Sequence, residues 1–234
     1  MAVNIIDELE WRGAINQQTD AEGLRELTEQ KSISLYCGVD PTGDSMHIGH
    51  LIPFIMLKRF QLAGHRPVIL IGGATGTIGD PSGRQSERSL QTLEQVQANV
   101  DALTAQMKKL FITEGDNQIR LVNNYDWTHK INVIEFLRDY GKNFSINAML
   151  AKDVVASRLD SGISFTEFSY QILQSLDYLH LYKHEDVQLQ IGGSDQWGNI
   201  TSGLDLIRKK EGPEAKAFGL TIPLMLKADG TKFG

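Results

Sequence analysis

The sequence predicts an α/β fold: a parallel sheet with helices on both faces, plus a helical insertion. Three observations lead there. Apolar runs of strand length alternate with stretches of helical periodicity. Several of those runs end directly in loops rich in Gly, Asp and His, as strands do where an open sheet presents its carboxyl edge. Residues 127–181, by contrast, carry several helical stretches with no strand among them. A strand–helix alternation buries its apolar faces when parallel strands lie side by side under two helical layers.

In chain order, residues 34–38 (Ser-Leu-Tyr-Cys-Gly) form the first strand, and residues 50–63 the helix after it. Residues 67–71 (Pro-Val-Ile-Leu-Ile) make a second strand that runs into a glycine-rich loop over 72–83. Residues 91–111 form a long amphipathic helix with Leu103, Met107 and Leu110 among charged neighbours. A third strand is expected over 119–123, a helix over 131–140, a fourth strand over 187–191 and a helix over 197–210. No repeat, low-complexity tract or Pro/Ser-rich linker divides the chain, which reads as one domain over 1–234 with the insertion at 127–181.

Composition narrows the setting. With 41% hydrophobic and 22% charged residues among 234, the chain has the make-up of a soluble globular protein with ample core. Its single cysteine, Cys37, has no internal partner, which fits a reducing compartment. Asp7, Glu8 and Glu10 stand where a signal peptide would be basic and then apolar, and no apolar stretch is long enough to span a membrane. A cytoplasmic protein without a membrane partner is expected. The net charge of −6 argues against broad, nonspecific nucleic-acid binding, and leaves RNA open as a partner through a local basic patch or a further domain.

Four clusters carry chemistry. The first runs Asp40-Pro-Thr-Gly-Asp-Ser-Met-His47-Ile-Gly-His50, between the first strand and its helix. A helix N-terminus offers free N–H groups and a positive dipole end, suited to phosphate; Gly49 admits close approach, and His47 and His50 can donate to phosphate oxygens. The same residues also suit a simple capping turn, with Asp, Thr or Ser as the cap. The second cluster, Gly72-Gly-Ala-Thr-Gly-Thr-Ile-Gly79-Asp80-Pro-Ser-Gly83, matches neither dinucleotide nor P-loop patterns, but Asp80 at its mouth can accept from an ammonium. Arg84 and Arg88 follow it, placed either to meet phosphate or to be solvated. The third cluster lies on a helix around residues 164–181. Phe168, Ile172, Leu176 and Leu179 form an apolar stripe, and Tyr170, Gln174 and Asp177 recur at i, i+4 and i+7 on another face. Periodicity alone favours solvent for that second face, yet a phenol, an amide and a carboxylate in one column also suit a small zwitterion. The fourth cluster is Gln190-Ile-Gly-Gly193-Ser-Asp195-Gln196-Trp197, where Asp195 reads either as a helix cap or as an acceptor for ribose hydroxyls.

The combination of His47-Ile-Gly-His50, Gly79-Asp80-Pro-Ser, Gly192-Gly-Ser-Asp-Gln-Trp-Gly-Asn199 and Lys232-Phe-Gly234 resembles the class I aminoacyl-tRNA synthetases. Leu35-Tyr-Cys-Gly38 and the Tyr170, Gln174, Asp177 column point to the bacterial tyrosyl branch of that class. The resemblance implies a Rossmann-like catalytic domain whose helical insertion makes a homodimer interface. It implies activation of L-tyrosine by ATP, with Mg2+, to tyrosyl-adenylate, and transfer to the 3′ end of tRNA(Tyr). It also implies roles. Tyr36 and Asp177 would meet the substrate phenol, Asp80, Tyr170 and Gln174 its ammonium, and Gln196 the carboxyl end. Cys37 and Asp195 would contact ribose. Gly38, Asp40, Thr42, His47, Gly49, His50 and Gly193 would line the ATP site, with Thr42 and His47 at the departing phosphates. Lys232 opens the second signature, and no residue set is expected to hold a resident metal.

Departures from the family pattern bear on this. Pro53 is expected in the first turn of its helix, where proline is tolerated. Arg84 stands where some relatives carry lysine, which changes geometry but not charge. The second lysine of the second signature and the anticodon-binding region are not in the sequence, so slow adenylate formation is expected beside intact tyrosine binding. Competing readings are a tryptophanyl-type synthetase, another nucleotidylyltransferase with an HxGH motif, and a non-catalytic RNA-binding paralogue. His65, His129, His180 and His184 read as surface or structural histidines.

Overall fold

The computed structural model describes residues 3–82, 91–160 and 162–230. The chain opens with α1 (Ile5–Trp11), the two-residue strand β1 (Gln17–Gln18) and α2 (Ala21–Gln30). Then β2 (Ser34–Val39), α3 (Ile48–Leu62), β3 (Arg66–Ile71), α4 (Leu93–Leu110) and β4 (Arg120–Asn123) alternate as the apolar runs predict. Short helices α5 (Tyr125–Thr128), α6 (Val133–Glu135), α7 (Ile146–Leu150) and α8 (Asp153–Ala156) fill the insertion. The long α9 (Phe165–Glu185), β5 (Val187–Gly193), α10 (Trp197–Glu211) and β6 (Phe218–Ile222) follow.

The six strands lie in the order β1-β6-β5-β2-β3-β4. Every neighbouring pair is parallel except β1 with β6, where Gln17 opposes Thr221 and Gln18 opposes Leu220. From β2 the chain steps outward through β3 and β4, then returns to lay β5 on the other side of β2. This reversal opens a crevice beyond the carboxyl ends of β2, β3 and β5, the place where open α/β sheets take ligands. Side chains alternate along β2: Leu35, Cys37 and Val39 join one core with α1 to α4, while Tyr36 joins a second core with α9 and α10. The sheet is therefore covered on both faces.

Several boundaries differ from the sequence reading. The helix expected from residue 50 begins at Ile48, because the side chain of His47 caps it by accepting from Gly49 N at 3.1 Å. Pro53 accordingly lies inside α3 rather than in its first turn, where it leaves the Gly49 carbonyl without the usual i+4 donor. The helix expected over 131–140 is divided into α6 and a wider π-type turn over Phe136–Tyr140. Gly192 and Gly193 are the last residues of β5 rather than the start of a loop. The sequence reading does not name α1, α2, β1 or β6. The polar column of α9 is turned inward, with Tyr170 and Asp177 buried and Gln174 half-buried, so it is not a solvated face.

Candidate active site

The crevice is a cleft of about 720 Å³. Tyr36, Cys37, Gly38, Asp40, Thr42, His47, Gly49, His50, Asp80, Tyr170, Gln174, Asp177, Gly193, Asp195 and Gln196 all line it. Those are all of the sequence-predicted site residues that fall among the described ones; Arg84, Arg88 and Lys232 lie outside them.

At one wall, Tyr36 and Asp177 are both buried, at 1% and 2% exposure. The Tyr36 hydroxyl has no hydrogen-bond partner among the described residues. Burial first, and then the nearby charge of Asp177, push its pKa well above the usual phenol value. Asp177 is held by two donors: Asn124 Nδ2 at 2.9 Å on Oδ2 and Trp127 Nε1 at 2.8 Å on Oδ1. Burial nevertheless dominates and raises its carboxyl to about 7, with Asp40 adding to the rise and the two donors pulling it down.

A second network occupies the middle of the cleft. Gln196 Nε2 donates to Asp80 Oδ2 at 2.8 Å, Gln174 Nε2 donates to Gln196 Oε1 at 3.2 Å, and Asn199 Nδ2 donates to Gln174 Oε1 at 3.0 Å. The other Asp80 oxygen accepts from Ser82 N at 2.9 Å. Tyr170 donates to Asp40 Oδ2 at 2.8 Å, and Thr75 donates to Asp40 Oδ1 at 2.7 Å. With its proton committed to Asp40, the Tyr170 oxygen presents lone pairs to a donor. This carboxylate- and amide-lined region suits an ammonium. Gly72 makes the arrangement possible: a Cβ there would stand 2.1 Å from Asp40 Oδ1 and 2.3 Å from Thr75 Oγ1.

The opposite side is formed by the N-terminus of α3. Because His47 Nδ1 accepts from Gly49 N, a neutral His47 carries its proton on Nε2. The His47 and His50 rings stack at 3.7 Å, so both imidazoles stand beside the positive end of the helix. The cap is His47 rather than an Asp, Thr or Ser, and it takes the Gly49 N–H, while the His50 and Leu51 N–H groups donate to the His47 carbonyl. Across the cleft, α10 has Gln196 as its N-cap residue, so Asp195 is not the cap. The cleft therefore has a buried polar wall fit for a hydroxyl, a centre fit for an ammonium, and a helix-start edge with two imidazoles fit for phosphate.

A sequence model described as tRNA synthetases class I (W and Y) matches residues 28–234. The chain belongs to this class I tRNA synthetase family. Among its relatives in the family, a tyrosine–tRNA ligase 2 of Bacillus cereus is 84% identical over 99% of this chain and 55% of its own length. A tyrosine–tRNA ligase 1 of Enterococcus faecalis is 76% identical over the same shares, 99% and 55%. The chain thus spans about half the length of these curated relatives. A C-terminally truncated Coccidioides posadasii mitochondrial tyrosyl-tRNA synthetase superposes with a TM-score of 0.83 at 33% identity, over 99% of this chain and 70% of that one.

In this synthetase cleft, sequence reading misses the residues that hold the predicted ones. Asn124 and Trp127 fix Asp177, Thr75 fixes Asp40, and Asn199 closes the amide chain. Gln190 also lines the cleft and is buried, and its side-chain oxygen has no partner among the described residues. Asn124 stands immediately beyond a strand end, and Thr75, Gln190 and Asn199 fall within the sequence clusters without being singled out; Trp127 alone of these has no sequence signal.

Proposed function

We propose that this chain is the amino-acid-activating part of a tyrosine–tRNA ligase. It would join L-tyrosine to ATP and pass the tyrosyl group to the 3′ end of tRNA(Tyr). The observation that carries the tyrosine reading is the buried Tyr36 hydroxyl, without a hydrogen-bond partner among the described residues, beside buried Asp177. A phenol both donates and accepts, so it can satisfy Asp177 with its proton and Tyr36 with its oxygen. An indole offers one donor and no acceptor, and phenylalanine offers neither.

In this reading the tyrosine ammonium sits among Asp80, Tyr170 and Gln174, and Gln196 stands near the carboxylate. That carboxylate attacks the α-phosphorus of ATP: the new O–P bond forms as the bond to pyrophosphate breaks. A hydroxyl of the terminal adenosine then attacks the tyrosyl carbonyl, and AMP leaves. No step needs a covalent bond to the protein, so rate comes from alignment and from donors aimed at the phosphates. His47, His50 and Thr42, beside the positive end of α3, serve that end, with Gly38, Asp40, Gly49 and Gly193 along the nucleotide. Cys37 and Asp195 serve the ribose, and Arg84, Arg88 and Lys232 are assigned to phosphate. Magnesium enters with ATP; among the described residues no group of three or more His, Cys, Asp and Glu is gathered as for a resident ion. The insertion is assigned to pairing with a second copy, and the setting to the cytoplasm, in keeping with the free thiol of Cys37.

Calorimetric titration of this chain with tyrosine, phenylalanine and tryptophan tests the reading. Preference for tyrosine is expected, lost in Asp177→Ala. Equal binding of the three amino acids would overturn it.

A further inference from the structure

The two donors on Asp177 are secured in different ways. Asn124 is tied to the end of β3: its Oδ1 accepts from Ala74 N at 2.8 Å, and its main-chain N–H donates to Ile71 O at 3.2 Å. Its Nδ2 also donates to Thr75 Oγ1 at 3.0 Å. Trp127, on the four-residue α5, has a single polar handle, the indole N–H given to Asp177. The His180 ring lies flat against that indole, with centroids 4.2 Å apart and 13° between planes, and the indole also packs on the core formed with α9 and α10.

His180 follows Asp177 by three residues on α9, so the two side chains leave the same helical face one turn apart. The indole is thereby gripped twice by one helix, at its N–H by Asp177 and across its face by His180. His184 packs on His180 from the next turn, at 4.5 Å and 41°. Burial, and after it the charges of His184 and Lys130, hold His180 down to about 4, so the stacked ring is a neutral imidazole at neutral pH. His180 does not line the cleft.

We propose that His180 is a positioning residue for recognition of the substrate phenol, keeping the Trp127 N–H on Asp177 by stacking on the indole. The inference rests on the tyrosine reading given above. Loss of one hydrogen bond to a charged group weakens binding by on the order of tenfold, and the ring contact governs part of that effect.

The test compares two variants of similar bulk. His180→Leu fills the space without a flat face, and His180→Phe keeps the face. Calorimetric affinities for tyrosine and phenylalanine are measured for both, for Trp127→Phe, and for Trp127→Phe combined with His180→Leu. His180→Leu is expected to lower the tyrosine-to-phenylalanine affinity ratio about fivefold with phenylalanine binding nearly unchanged, and His180→Phe to restore most of it. In the Trp127→Phe background, His180→Leu should change the ratio no further. An unchanged ratio, equal weakening of both ligands, equal loss in the Leu and Phe variants, or additive effects in the double variant would each overturn the assignment. If the parent chain prefers tyrosine and Asp177→Ala removes that preference while His180→Leu leaves the ratio unchanged, only this inference fails. If the parent shows no preference, the tyrosine reading fails and this inference with it.

Discussion

The Tyr36 ring is fully buried and tilted against Tyr178 of α9 at 5.3 Å, while its hydroxyl, equally buried, has no partner among the described residues. An unsatisfied buried hydroxyl costs about 1–3 kcal/mol. Tyr36→Phe should therefore leave the ligand-free chain as resistant to urea as the parent, or more so, while weakening tyrosine binding about tenfold. A drop in urea midpoint with unchanged affinity would show that the hydroxyl serves the fold instead. At this scale, legibility follows contiguity. His47, Gly49, His50, Asp80, Asp195 and Gln196 stand in short motifs and can be read directly. The Tyr170, Gln174 and Asp177 column is visible too, but periodicity cannot say which way it faces. Asn124 and Trp127 meet Asp177, Thr75 meets Asp40 and Asn199 meets Gln174 from across the chain, and only tertiary packing brings each to its target.

Among the elements, the insertion departs most from its sequence pattern. Ile131, Ile134, Leu137 and Tyr140 recur as on one helix, yet the backbone breaks into α6 and a π-type turn. Val133, Ile134 and Phe165 are 68%, 66% and 71% exposed, so the described residues leave most of each apolar surface uncovered. If a second copy covers them, the chain sediments as a dimer and Ile134→Asp converts it to a monomer. A parent that sediments as a monomer at micromolar concentration would remove that assignment. The strands are easier to read. β2 and β3 are largely apolar runs buried on both faces, which is how parallel strands look in sequence, while β5 alternates apolar residues with Gln188 and Gln190 and is buried throughout. The two glutamines of β1 carry no such signal, and register with β6 alone makes them a strand.

For the molecule as a whole, Asp177 links the site to stability. Its carboxyl rises from an ordinary 3.8 to about 7 on folding. Between those values the folded chain binds the Asp177 proton more tightly than the unfolded chain. Its contribution to stability is therefore complete below about 4 and fades as pH climbs through 7. Asp177→Asn removes that titration. Relative to the parent, the variant's urea midpoint should gain as pH rises from about 4 to about 8, whatever its level at low pH. Parallel curves for parent and variant would mean that the carboxyl titrates in its ordinary range.

The alternation of strands and helices tells the fold class but not the strand order, because nothing in the apolar runs says that β5 lies beside β2. That order has a consequence in time. Leu35 pairs with Pro67 on one side and with Leu189 on the other. A ribosome adding about 5–20 residues each second delivers the first partner promptly and the second roughly ten seconds later. Throughout that interval a central strand of the finished sheet is an open edge on the nascent chain, with a row of N–H and C=O groups able to pair with any strand that arrives first.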